Sequence, residues 1–305
     1  MAQTGDRESR QPPFFIVGAQ RSGTTMSRLT LTEHSRLSVP FESVFDPRFL
    51  PAEAGIWRPV RSGTRWQGCL MTSSPITGCA RAELVPDPQL VLDQEPRSYP
   101  ALVNAIFSAY ARLQGKERWG DKTPGYVADL DVLNELWPDC RVVHLVRDGR
   151  DVALSLAGVS WGSPDLMRNA ANWRWKTVLG RKMGTMMGER YLEVRFEDLV
   201  REPDRSLRRV CDFLGEHYEP GMLHYPASAH AAMPEQSLQW HRTSISTPDQ
   251  SRAFEWKRRM SLADQIVFDE VAGDALDLFG YTRVQRRHTI RSRIRFARYA
   301  LLGHA

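Results

Sequence analysis

A chain of 305 residues can bury a full α/β core, and 42% hydrophobic with 25% charged residues is ordinary for a soluble globular protein, which excludes global disorder. No apolar run approaches the roughly 20 residues of a membrane-spanning helix, and residues 1–13 are polar, without the apolar centre of a signal peptide, so they read as a loose leader. The formal net charge of +5 sits in residues 283–305, where seven arginines stand without an acid; taking these seven from the 41 basic residues leaves 34 against 36 acidic ones, a nearly neutral body.

The first element is Phe14-Phe15-Ile16-Val17, a buried strand running into Gly18-Ala19-Gln20-Arg21-Ser22-Gly23-Thr24-Thr25 and then a helix over 24–34. Gly18 and Gly23 keep the spacing of the nucleotide-binding loop G-x-x-x-x-G-K-[ST], with Thr24 in the place of the lysine. Such glycines let backbone N–H groups converge on one anion, and the following helix adds its dipole. Without the lysine, chemistry on a nucleoside triphosphate is disfavoured, and Arg21 offers positive charge from another direction. Leu37-Ser38-Val39-Pro40-Phe41-Glu42 reads as the next strand or its end, arriving on the rim where ligands collect, with Glu42 facing the loop. Residues 46–97, rich in Pro, Gly, Ser and Trp, read as an irregular insertion that shapes a substrate cleft.

Ser98 caps a helix over 99–113 that Gly115 closes. Arg118-Trp119-Gly120-Asp121-Lys122-Thr123-Pro124 puts Lys122 at a strand end or turn, before a helix over about 127–137. Arg141-Val142-Val143-His144-Leu145-Val146-Arg147 is a continuous apolar run suited to a parallel strand covered on both faces; Asp148-Gly149 turns the chain into a helix from 151. Further on, the patterning predicts a helix over 161–188 with Trp161, Trp173 and Trp175, a strand over 191–199 leaving through an acidic turn, and a helix from Pro203 to Leu214. A long surface excursion follows over 220–252, then a helix over 262–279 with a Ser261/Asp264 capping box and Gly280 as its stop. Cys140 and Cys211 lie in apolar segments as buried thiols, Cys69 and Cys79 bridge only in an oxidising compartment, and no cysteine or histidine spacing matches a metal site. The plain reading is a reducing, cytoplasmic setting. The element order predicts an α/β, three-layer sandwich whose central, mainly parallel sheet is flanked by helices, as one domain over 14–282.

Arg147 at a strand end and Ser155 two helical turns onward make a second anion site, a guanidinium and a hydroxyl on the same side. Two phosphate sites on one sheet rim suit a ligand with phosphates at both ends. His34, His144, His224, His230 and His241 read as hydrogen-bonded structural histidines rather than bases.

The loop from Gly18 to Thr25 resembles the 5′-phosphosulfate loop of sulfotransferases that use 3′-phosphoadenosine 5′-phosphosulfate (PAPS). Val146-Arg147-Asp148-Gly149-Arg150 with Ser155 resembles their 3′-phosphate motif, and Val194-Arg195-Phe196-Glu197-Asp198-Leu199 with Phe213-Leu214-Gly215 their distal half. The likeness runs in blocks from residue 14 to about 280, nearest to tyrosylprotein and bacterial small-molecule sulfotransferases, whose acidic base corresponds to Glu42 and whose lysine segment resembles Asp121-Lys122-Thr123-Pro124. What the resemblance implies is a P-loop enzyme that transfers a sulfuryl group from PAPS in line, with no metal and with 3′-phosphoadenosine 5′-phosphate (PAP) as product. The implied acceptor is a hydroxyl, or second to it an amine, of a small molecule, glycan or lipid. Gln20, Arg21, Ser22, Gly23, Thr24, Thr25, Arg147 and Ser155 are then the donor-binding residues; Glu42 is the base, and Arg21 and Lys122 stabilise the leaving phosphate and the sulfuryl oxygens. Met26 stands where many members carry a residue near the adenine, which leaves that contact unassigned. Segments 46–97 and 220–252 are expected to shape the acceptor pocket, with Trp57 and Trp66 suiting an apolar or sugar-like acceptor. The family's late cofactor loop is faint in Ser244 to Gln250 and in Trp256-Lys257-Arg258.

Two other readings stay open, a P-loop nucleotide kinase or NTPase and a non-catalytic anion-binding protein that uses the arginine tail on a membrane or nucleic acid. Arg287, Arg291, Arg295 and Arg298 recur at helical spacing beside Ile290, Ile294, Ala297 and Leu301. That basic amphipathic helix suits an anionic membrane surface, or docking on its own domain or on a partner subunit such as that of a homodimer; a nucleic-acid partner is not expected.

Overall fold

The computed structural model describes residues 11–42, 88–241, 244–284 and 294. Trp57, Trp66, Cys69, Cys79, most of the 46–97 segment and nearly all of the arginine tail lie outside the described residues.

Strand β1 (Phe14–Gly18) is buried at every position, as is nearly all of the apolar run predicted around 141–147, and both are interior strands. With β2 (Leu37–Ser38), β3 (Arg118–Lys122), β4 (Arg141–Val146) and β5 (Tyr191–Arg195) they form one sheet in the order β2-β3-β1-β4-β5, every pairing parallel. Parallel neighbours need crossovers, and the helices that supply them cover both faces. The side-chain alternation of β1 divides the core. Phe15 and Val17 face a cluster with Trp119, Trp137 and Phe107, while Phe14 and Ile16 face one with Leu29, Val143, Leu145 and Leu207. In the first cluster the Phe15 ring centre lies 5.9 Å from Trp119 and 5.5 Å from Trp137. The α/β sandwich is therefore the architecture that the element order predicts.

Apart from two single turns at Gln89–Leu92 and Trp256–Arg259, the α-helices described are α1 (Thr24–Thr32), α2 (Tyr99–Leu113), α3 (Leu130–Leu136), α4 (Gly149–Ala157), α5 (Leu166–Met186), α6 (Phe196–Arg201), α7 (Pro203–Leu214), α8 (Glu235–His241) and α9 (Leu262–Leu278). Caps set several of these ends. The Ser98 hydroxyl accepts from the N–H of Ala101, that of Ser261 accepts from the N–H of Asp264, and Gly215 takes the left-handed C-cap of α7.

Four expectations are corrected. Trp161 precedes α5 instead of riding on it, because Pro164 and the Asp165 cap delay the helix start to Leu166. The strand predicted over 191–199 ends at Arg195, and α6 begins at once at Phe196. The helix predicted over 127–137 splits into a 3₁₀ turn at Pro124–Ala128 and α3. The excursion over 220–252 is no mere surface feature: Met222, Tyr225, Ala229, Met233 and Ile245 are buried in the Phe14 cluster.

The pairing register fixes what meets at the sheet rim. Gly18 pairs with Leu145, and Ile16 with Lys122. The loop after β1, the end of β3 and the turn after β4 consequently emerge side by side.

Candidate active site

The loop after β1 is shaped by what cannot fit. Gly18 has φ 154, and a Cβ there would lie 2.4 Å from the carbonyl oxygen of Leu145; Gly23 has φ 94, and its Cβ would lie 2.5 Å from the Phe196 ring. Arg21 also takes a left-handed conformation, φ 70, a strained state for a residue with a side chain. The turn is closed by the N–H of Ser22 donating to the Ala19 carbonyl at 3.2 Å. Gly23 caps α1 without a side-chain acceptor, so the first N–H groups of that helix are directed to whatever lies above the loop. The Ser22 hydroxyl is fully buried and has no hydrogen-bond partner among the described residues.

The turn after β4 meets this loop directly. Arg21 donates from Nε to the Ser155 hydroxyl at 2.9 Å, and Arg147 donates from Nη1 to the Arg21 carbonyl at 3.2 Å and from Nη2 to the Arg252 carbonyl at 3.0 Å. The Arg147 guanidinium lies 4.3 Å from the centre of the Phe196 ring, and its Nε is buried with no partner among the described residues. Burial lowers the pKa of both arginines; at Arg21 the charges of Arg147 and Arg252 push in the same direction. Asp151, with one oxygen 3.8 Å from Arg147 Nη2, has its carboxyl pushed up to about 6 by burial, against the pull of Arg147. Its other oxygen accepts from the N–H of Trp256 at 2.7 Å.

The neighbours of Arg147 point inward. Asp148 accepts from Arg150 Nε at 2.9 Å and Nη2 at 2.8 Å and from the Trp256 indole at 2.9 Å, and the Arg150 guanidinium lies 3.6 Å from the Trp256 ring centre. Arg150 also donates to the Thr282 carbonyl at 3.0 Å. The N–H of Asp148 donates to Glu197 at 2.9 Å, and the other Glu197 oxygen accepts from the Tyr281 hydroxyl at 3.0 Å.

On the far side of the loop, Lys122 is fully buried, with Nζ 2.5 Å from Glu42 Oε1 and 3.4 Å from the Thr25 hydroxyl. Burial lowers the Lys122 pKa, and the Glu42 carboxylate is the largest influence opposing it. The Phe41 ring packs between three groups, its centre 5.2 Å from Lys122 Nζ, 5.7 Å from the Arg28 guanidinium and 6.3 Å from the His241 ring. Arg28 ties α1 to the segment before α8, donating to the carbonyls of Val39 at 3.3 Å and Ala232 at 2.8 Å. Gln20, Arg21, Gly23, Thr24, Thr25, Glu42, Arg147 and Ser155 all line one cleft of about 840 Å³, which Trp161, Trp240, His241 and Arg252 also line.

Residues 12–220 match the model of the sulfotransferase family. The chain belongs to the sulfotransferase family. It is 26% identical over 220 residues to a protein named putative protein-tyrosine sulfotransferase from Caenorhabditis briggsae, covering 70% of this chain and 68% of that one. It is 24% identical over 230 residues to protein-tyrosine sulfotransferase A of Caenorhabditis elegans, covering 73% of this chain and 55% of that one. The solved sulfotransferase domain of the Synechococcus PCC 7002 olefin synthase is 26% identical, with a TM-score of 0.59, and covers 93% of this chain and 100% of that domain. No helix among the described residues of this sulfotransferase is long and apolar enough to cross a membrane.

Of the residues that the sequence singles out in this sulfotransferase, nine form one continuous constellation. Arg21 joins Arg147 and Ser155; Lys122 joins Thr25 and Glu42; Gln20, Gly23 and Thr24 line the cleft between these groups. Ser22, in the same loop, is buried. Within Val146-Arg147-Asp148-Gly149-Arg150, only Arg147 lines the cleft, while Asp148 and Arg150 are interior. Among the histidines, His34 bonds the His217 carbonyl at 2.9 Å and His144 the Tyr191 hydroxyl at 2.6 Å, both as structural groups. His241 departs from that reading. It lines the cleft, and burial together with Lys122 and Arg21 lowers its pKa to about 4. Phe196, Trp161, Trp240 and the Arg252 carbonyl are site features that the sequence does not announce; the first two fall within segments whose element type or boundary the patterning misassigns.

Proposed function

We propose that this sulfotransferase transfers the sulfuryl group of PAPS in line to a hydroxyl of a small-molecule, glycan or lipid acceptor, with Glu42 as the general base. The observation that carries the reading is the Arg21–Ser155 hydrogen bond: it joins two anion-holding loops into one cradle, at whose other end stands the Lys122–Glu42 pair. A donor with a phosphate at each end fits such a cradle. The buried Ser22 hydroxyl and Arg147 Nε, both without partners among the described residues, are donors suited to phosphate oxygens. When bound, PAPS supplies the sulfuryl group and a 3′,5′-bisphosphate leaving group.

The chain's own residues then have separable tasks. The first N–H groups of α1 and the Ser22, Thr24 and Thr25 hydroxyls hold the phosphosulfate end, and Arg147 with Ser155 holds the 3′-phosphate. Arg21 and Lys122 face the charge that grows on the leaving phosphate, preorganised by their contacts with Ser155 and Thr25. Glu42 accepts the acceptor's hydroxyl proton at a carboxylate oxygen, and its contact with Lys122 holds that oxygen beside Thr25. The acids that act on Arg147 are Asp151, Glu197 and Glu255, in that order.

Calorimetry with PAP against ATP and Mg²⁺ tests the donor. PAP is expected to bind; binding of ATP with Mg²⁺ and not of PAP would overturn the reading in favour of a nucleotide kinase or NTPase. Radiolabelled PAPS turnover with an acceptor panel tests the enzyme. Glu42→Gln is expected to lower transfer by about a thousandfold while leaving PAP affinity unchanged. Unaltered turnover in that variant removes Glu42 from the role of base.

A further inference from the structure

The lysine that Thr24 displaces from the loop has a counterpart behind it. Trp173 and Lys176 stand three residues apart on α5, on neighbouring positions of the helix surface, and both reach the donor cradle. The Trp173 indole donates to the Arg147 carbonyl at 3.1 Å, and Lys176 donates from Nζ to Gln20 Oε1 at 2.6 Å. The second contact joins positions 156 apart in the chain. No carboxylate pairs with Lys176 among the described residues, and burial lowers its pKa with no influence opposing it. A half-buried ammonium held by a neutral amide is costly unless an anion arrives to balance it.

The chemistry of the pair fixes the direction of the amide. An ammonium has three donors and no acceptor, so the Gln20 atom against Nζ is the carbonyl oxygen, and the NH₂ is the end left for the cleft that Gln20 lines. Donation into that oxygen polarises the amide and strengthens its N–H groups as donors.

We propose that Lys176 is a positioning residue that takes over, from behind the loop, the task of the missing loop lysine: it turns the Gln20 amide so that the NH₂ donates to the 5′-phosphate end of the donor. The assignment rests on the proposed PAPS-dependent function. It makes the 5′ end, and not the 3′ end, the beneficiary of Lys176.

Calorimetry on the full chain with two probes tests it, PAP and adenosine 3′-phosphate, which lacks the 5′-phosphate. Lys176→Met and Gln20→Ala are each expected to weaken PAP binding about tenfold, the double variant to be no weaker than the worse single one, and Lys176→Arg to keep most of the affinity. Binding of adenosine 3′-phosphate is expected to be the same in all four. In turnover, the KM for PAPS rises in Lys176→Met more than kcat falls. Equal losses for both probes, fully additive losses in the double variant, or unchanged PAP affinity in Lys176→Met overturn the assignment. If Lys176→Met fails to fold, the Gln20→Ala comparison of the two probes with Lys176→Arg decides in the same way. A wild-type chain that binds neither probe removes the proposed function itself, a failure distinct from loss of the 5′ preference alone.

Discussion

The loop after β1 and the turn after β4 lie against each other on one rim, yet they are built by opposite means. The first is shaped by sterics: Gly18 passes the Leu145 carbonyl and Gly23 passes the Phe196 ring, while its side chains Gln20 and Arg21 are seated from afar, on Lys176 and Ser155. The second is held by charge, with Asp148, Arg150 and Glu197 buried and joined to Trp256, Tyr281 and Thr282. A backbone cradle needs room for N–H groups and tolerates little besides glycine at its closest approaches. A guanidinium that must present itself to a phosphate needs its own neighbours fixed by something stronger than apolar packing.

Three changes separate these two modes of construction. The largest effect is expected from Arg150→Met, which leaves the Asp148 carboxylate buried without its cation and should cost about 3–5 kcal/mol in urea unfolding. The double variant with Asp148→Asn should recover part of that loss, because both charges are then gone; an Arg150→Met protein as stable as wild type would mean that the network does not hold the turn. Next comes Gly23→Ala, where the φ of 94 and the 2.5 Å approach to Phe196 act together. About 2 kcal/mol of stability should be lost, and PAP binding should fall far more than that figure alone accounts for, since the cradle itself is displaced. The smallest effect concerns Asp151. At pH 8 its carboxylate competes for Arg147, so Asp151→Asn should bind PAP about threefold more tightly than wild type. Toward pH 5 the wild-type carboxyl, pushed up to about 6, takes up its proton and the ratio of the two affinities should approach one. The phosphate's own titration cancels in that ratio, and a ratio independent of pH would detach Asp151 from the site.

Most of the fold is legible in the residues because the deciding signals are local. Ser98 with its apolar periodicity, Pro203 opening and Gly215 closing α7, and the Ser261/Asp264 box each mark a helix end within a few positions. The two loops that meet at the cleft are legible for the same reason, as each is a strand end, a turn and a helix start in one stretch. The segment over 220–252 is not, because its buried residues Met222 and Tyr225 ride on a 3₁₀ run between small and polar neighbours, where no period of 3.6 or 2 appears. Nor does spacing along the chain distinguish Arg147, which lines the cleft, from Arg150, which is sealed inside; that depends on Trp256 and Thr282 arriving from more than a hundred residues away. Lys176 has no sequence signal at all, since a lysine in a mixed basic helix reads as solvated.

The Tyr281 hydroxyl, seated on the carboxylate that receives the Asp148 N–H, also sets an order of assembly. On a ribosome the loop after β1 acquires its walls, Leu145 and Phe196, within the first 200 or so residues, whereas the turn after β4 waits for Trp256, then for Tyr281 and Thr282. The walls of the loop after β1 are thus in place before residue 200 is passed, and the support of the turn after β4 only after residue 282. A nascent chain stopped before α9 would hold a shaped backbone loop beside an arginine whose neighbours Asp148 and Arg150 have Trp256 but neither Tyr281 nor Thr282, and the rim is complete only when those two residues dock.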